Sequence, residues 1–254
     1  MAKGFELQMP LIARLRDEHK IKVETLGASG KWFKDHYKVT PATSVTVNKD
    51  IDGSDKKTVW FNSRFYRANL LWEKGTLKFR DIHLFNEKFP SVYETAKATS
   101  NECSFFTLPI IDGYLWSNAQ QLAGLKFKMM IDGAETDLNG GDPLITSPAQ
   151  DRLHIIWPLK QGYGTLVIDM DEREIRIKTA GGKPIKWFLD LAVADKSKPP
   201  FTAIKSATIT CRFEGMNYFL KASKGSFEKS TGDGVLKIYP EKSTLVLNLS
   251  GAEN

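Results

Sequence analysis

The sequence predicts a mainly β protein: a large antiparallel β-sandwich of super-sandwich type, preceded by a short helix-strand-helix segment. Three observations predict it. From about Ser44 to Leu249, short runs of alternating apolar and polar residues follow one another, separated by turn residues. Helical spacing of apolar residues is confined to the first forty or so positions. No Pro/Gly/Ser-rich linker divides the β-region, and no stretch repeats at a fixed period, which argues against two small domains and against a propeller. The expected organisation is residues 1–40 as a helical/βα segment and residues 41–254 as the sandwich.

Within the first segment, Leu7, Leu11, Ile12 and Leu15 share one helical face, and Pro10 is expected in the first turn. Ile21-Lys-Val-Glu-Thr-Leu reads as a short strand, and Lys31 to Tyr37 as a second helix. In the β-region, strands are expected at Val45–Val47, Thr58–Phe61, Arg64–Trp72 and Thr76–Phe85. On the last of these, strict alternation places Leu77, Phe79, Asp81, His83 and Phe85 on one face. Residues 86–101 read as a long excursion from the sheet, a common setting for binding elements. Strands resume at Cys103–Ile111, Tyr114–Trp116 and Leu125–Ile131, the last followed by the hairpin signal Asp132-Gly133. Leu153–Trp157, Thr165–Met170, Glu174–Lys178, Trp187–Val193, Ile204–Phe213, Asn217–Ala222, Val235–Tyr239 and Leu245–Leu249 complete the series.

The totals narrow the function classes. The 254 residues are 41% hydrophobic, enough for a sizeable core and against intrinsic disorder. A net charge of +6, from 36 basic and 30 acidic residues, is spread without a basic block, which argues against nucleic-acid binding. Cys103 and Cys211 form no CxxC motif; they either pair or remain thiols. Met1-Ala-Lys-Gly opens no apolar leader, and no uncharged apolar run is long enough for a membrane span. No cofactor and no metal site is expected.

Leu11-Ile-Ala-Arg-Leu-Arg-Asp-Glu-His-Lys-Ile-Lys-Val-Glu-Thr-Leu-Gly27 resembles the closing unit of polysaccharide deacetylase and glycosidase-like (β/α) barrels. The metal-binding Asp/His motifs of those barrels do not occur in this chain, so the resemblance carries no activity with it. The β-region is similar in kind to galactose mutarotase-like super-sandwiches, which follow the catalytic domains of many carbohydrate-active enzymes. The resemblance implies an accessory β-sandwich of a bacterial glycan-processing protein, one that binds carbohydrate or supports a neighbouring catalytic domain. As part of a longer protein it would be periplasmic or secreted, and otherwise cytoplasmic. The first forty residues are then a barrel remnant or, alternatively, a helical cap.

Candidate site residues follow from residue chemistry. Asp81 and His83, two apart on one strand, can act as an oriented acid–imidazole pair, or simply hydrogen-bond inside the fold. They are the catalytic candidates. Trp60, Tyr66, Arg67, Trp72, Asp112 and Trp116 are the ligand-binding candidates, since rings stack on sugar C–H faces while Arg and Asp hold hydroxyls; their alternative is core packing. A mutarotase-like site would join His83 and His154 with Glu87 or Asp112 as the acid. Asp132, Glu135, Asp137 and Asp142 read as solvated acidic surface rather than a Ca²⁺ site. Three readings stay open: accessory glycan contact, a carbohydrate-active enzyme with its site on the sheet, and a ligand-free structural module.

Overall fold

A computed structural model describes residues 2–50, 53–99, 106–230 and 235–251. Strand occupies 49% and helix 14%, which settles the class as mainly β. By internal contacts the chain falls into two units, Met1–Thr40 and Pro41–Asn254.

The first unit holds α1 (Ala2–Asp17) and α2 (Leu26–His36). Pro10 lies in the interior of α1, not in its first turn. Its missing N–H leaves one helical bond unmade, a defect of about 3 kcal/mol in a helix interior that flanking helix formers here span. The second helix begins five residues earlier than the sequence suggests, because Thr25 caps it: Thr25 Oγ1 accepts from Ala28 N at 3.2 Å. Ile21–Thr25 is not a strand. A lone extended run has no partner for its N–H and C=O groups, so it stays irregular. Taken by itself, this unit buries none of its helical side chains.

The second unit is a two-sheet antiparallel sandwich. Its strands are β1 (Thr43–Val47), β2 (Lys57–Asn62), β3 (Tyr66–Glu73), β4 (Thr76–Leu84), β5 (Leu108–Asp112), β6 (Gly124–Ile131), β7 (Ala134–Asp137), β8 (Leu144–Ala149) and β9 (Arg152–Pro158). There follow β10 (Thr165–Met170), β11 (Glu174–Ala180), β12 (Lys186–Ala192), β13 (Phe201–Lys205), β14 (Thr208–Phe213), β15 (Met216–Lys224), β16 (Ser226–Lys229), β17 (Leu236–Tyr239) and β18 (Thr244–Asn248). The larger sheet runs β1-β2-β3-β4-β6-β12-β17-β16, with β5 beside β4 and β7 beside β6. The smaller runs β13-β14-β15-β18-β11-β10-β9-β8.

Alternation builds the core between them. Tyr66, Ala68, Leu70 and Trp72 point inward from β3, and Leu153, Ile155 and Trp157 from β9. Each large apolar side chain removed from water contributes about 1.5–3 kcal/mol. Buried hydroxyls tie the sheets together: Tyr66 Oη donates to Asp171 O at 2.8 Å, and Tyr218 Oη to Pro109 O at 2.6 Å. The β3–β4 and β6–β7 hairpins turn on Lys74-Gly75 and Asp132-Gly133, with positive φ at both positions of each.

Four details differ from the sequence reading. Ile204–Phe213 is not one strand, since Ser206-Ala207 folds it into the β13–β14 hairpin. Tyr114–Trp116 is a turn, because Asp112 Oδ1 accepts from Tyr114 N and Leu115 N and reverses the chain there. Two short strands, β8 and β16, lie where none was expected; β8 carries Pro148, which an edge strand tolerates. Residues 100–105, including Cys103, lie outside the described residues; Cys211 is a buried free thiol. Among the described residues, no helix is long and apolar enough to cross a membrane.

Candidate functional site

The site starts from a one-residue irregularity. Asn69 pairs with Asp81 across β3–β4, but Leu70 pairs with Phe79, so Arg80 is an extra residue on β4. A bulge of this kind shifts the side-chain phase by one position. Before it, Leu77 and Phe79 face the core; after it, Ile82 and Leu84 do. Asp81 and His83 therefore share a face with each other but not with Leu77 and Phe79. They stand on the outer face of the larger sheet, with Arg67 directly opposite His83.

Three strands converge there. Arg67 grips Asp81 with two hydrogen bonds, Nε to Oδ1 at 2.8 Å and Nη2 to Oδ2 at 3.2 Å. Asp112, at the end of β5, is paired with Asp81 by register. His83 Nε2 lies 3.3 Å from Asp112 Oδ2 and 3.5 Å from Asp81 Oδ2, close contacts without the alignment of a good hydrogen bond. Its Nδ1 is 2.7 Å from Thr107 Oγ1. Burial pushes the Asp112 carboxyl up, but His83 and the N–H groups of Leu115 and Tyr114 outweigh it and hold the group below the usual carboxylate range. The centre is sealed: His83 is 2% exposed, Asp112 4% and Asp81 9%.

The other candidates disperse. Tyr66 and Trp72 sit on the opposite side of β3, buried in the core, because strand parity separates them from Arg67. Trp116 is also buried, edge-on to Phe201. Trp60 is the remaining ring. It is half-buried on the outer face of β2, with the guanidinium groups of Arg67 and Arg80 each 5.9 Å from its centroid. His154 lies on β9 of the other sheet and takes Asp169 at 2.5 Å, so His83 and His154 occupy different sheets and cannot share a site. Glu87 is exposed beyond the end of β4. The acidic residues spread among lysines: Glu135 meets Lys128 and Lys237, and Asp142 meets Lys57 at 2.8 Å. Among the described residues, no His/Cys/Asp/Glu group could hold a metal ion.

Sequence reasoning missed Thr107 and Arg80. Thr107 had no signal, since its role arises only when β5 pairs with β4. Arg80 had a weak one: a basic residue between Phe79 and Asp81 on a predicted strand, whose part in the bulge needs the register of β3. Comparison with protein-family models, with curated proteins and with solved structures returned no match.

Proposed function

We propose that the β-sandwich is a non-catalytic module that contacts carbohydrate through the outer face of its larger sheet, as an accessory part of a bacterial glycan-processing protein. One observation carries this reading: Trp60 is the nominated ring that keeps an accessible surface, and it stands between Arg67 and Arg80 on that face. An aromatic plane beside guanidinium donors suits a sugar ring, apolar on its C–H face and hydroxylated at its edge. The sealed Asp81–His83–Asp112 centre argues against a substrate reaching His83, and its ion pairing suits a part that fixes β4 to β5.

A ligand-free support module is the second reading, favoured by the same burial of Asp81, His83 and Asp112. Titration calorimetry with a panel of bacterial and plant oligosaccharides separates the two. Glycan contact predicts saturable heat that Trp60→Ala lowers at least tenfold while the melting temperature moves by about 2 °C or less, as for an outer-face residue. No heat with any glycan leaves the support reading, and heat indifferent to Trp60→Ala would remove the Trp60 face as the place of contact.

A further inference from the structure

The face that carries Trp60 continues along β4 to a second feature. Lys78 on β4 and Lys126 on β6 are direct cross-strand partners. Opposed like charges on one face destabilise a sheet unless something neutralises them. Among the described residues neither lysine has an ion pair or a side-chain hydrogen bond, and Arg80 next along β4 has only its contact with Trp60. The nearby carboxylates compensate them in part, without pairing directly with either lysine. Glu73 is taken by Lys56 at 3.7 Å, and Asp137 is exposed and, among the described residues, forms no ion pair.

The two lysines line a cavity of about 160 Å³, together with Leu71, Glu73, Thr76 and Asp137. It opens where β4 leaves β6: their pairing covers only Lys78 and Phe79, beyond which β6 pairs with β7. The Lys78 stem is laid across β6 by Gly124, where an added Cβ would come within 3.1 Å of Lys78 Cδ. That packing covers the apolar stem of the side chain, leaving only its charged end to seek a polar partner. Burial lowers the Lys78 pKa; Glu73 opposes that shift, and Lys126, Arg80 and Lys56 add to it.

We infer that the Lys78–Lys126 fork is an oxyanion-binding site that takes a carboxylate or sulfate group, supplied by an acidic sugar bound along the Trp60 face or by a small free anion. A cavity of about 160 Å³ has room for several waters and therefore for one such group. The acidic-sugar source rests on the proposed glycan contact; the anion site itself does not.

The test uses the full chain and the double variant Lys78→Met/Lys126→Met, which keeps the apolar stems. Sodium sulfate, compared with sodium chloride at equal ionic strength, should raise the wild-type melting temperature along a saturating curve. The variant should show only the shallow, non-saturating rise that sulfate gives any protein. Removing the repulsion should also leave the variant at least as stable as wild type in chloride. Oligogalacturonate should bind at least tenfold more tightly than a neutral oligosaccharide of equal length, with that preference lost in the double variant and both affinities lowered at least tenfold in Trp60→Ala. Saturable sulfate binding without any oligosaccharide binding would assign the site to a free anion and end the glycan reading. Identical sulfate curves for wild type and variant would overturn the site, even if neutral glycans bind at Trp60.

Discussion

Removing Asp112 is the sharpest probe of the sealed centre. Its Oδ1 caps the following turn, accepting from Tyr114 N at 2.9 Å and Leu115 N at 2.7 Å, while Oδ2 faces His83. Loss of such a cap costs about 1 kcal/mol, and loss of a charged partner from a buried imidazole about 1.5–3 kcal/mol. Asp112→Ala should therefore destabilise by about 2–4 kcal/mol, or roughly 5–15 °C in a domain of this size. Asp112→Asn keeps an acceptor for the turn and removes only the charge, so it should cost about half as much. The acid limb gives a second readout. The Asp112 carboxyl is held low in the fold, so its contribution is complete above the unfolded carboxylate value near 4 and disappears as pH falls through the folded value. Thermal melts of wild type and Asp112→Asn should converge as pH drops below about 4. A loss under about 2 °C for Asp112→Ala at pH 7, or a gap that widens in acid, would refute the reasoning.

Three further outcomes are expected. Tyr66→Phe should lower stability by about 1–2 kcal/mol in urea unfolding, since the lost hydroxyl strands the Asp171 carbonyl, whereas Tyr66→Ala should cost about 3–5 kcal/mol; equal losses would deny the hydroxyl any part in joining the sheets. Burial pushes the Cys211 thiol up to about 12, so alkylation at pH 8, mapped to its peptide by mass spectrometry, should require unfolding; rapid labelling of the native protein would contradict the packing. Deleting residues 1–40 should leave one cooperative melt, because the buried core is assembled from Ala42 onward; a non-cooperative melt would make that segment integral.

Strand positions were legible in the sequence wherever one face is buried, because alternation records burial directly. Leu153-His-Ile-Ile-Trp157 became β9, and Thr165–Met170 became β10. What escaped depends on partners. The Ser206-Ala207 turn carries neither Gly nor Pro, and β8 alternates poorly because it is an exposed edge. Asp81 and His83 could be grouped by parity alone, and Arg67 joins them because β3 pairs with β4 across the short Gly75 connection. Tyr66, nominated beside Arg67, is buried on the other side of β3. The bulge at Arg80 could not be read, since β4 alone contains no mark of where β3 gains or loses register. Asp112 and Thr107 reach His83 only through a strand more than twenty residues away, an association of topology rather than of local pattern.

The strand order of the smaller sheet has a consequence for how the chain comes to be folded. β18 is the last described strand, yet it lies in the middle of its sheet, between β15 and β11. Until residues 244–248 leave the ribosome, β8 to β11 and β13 to β15 can form only two separate ribbons, each with an unpaired edge. Synthesis at about 5–20 residues per second leaves those edges open for seconds. The joining step closes contacts across as many as 74 residues of sequence, from Glu174 to Asn248, which places it among slow, non-local events. A nascent chain of this kind depends on protection of its edges until its final strand arrives, and a premature stop before Thr244 would release a product with two sticky ribbons in place of one sheet.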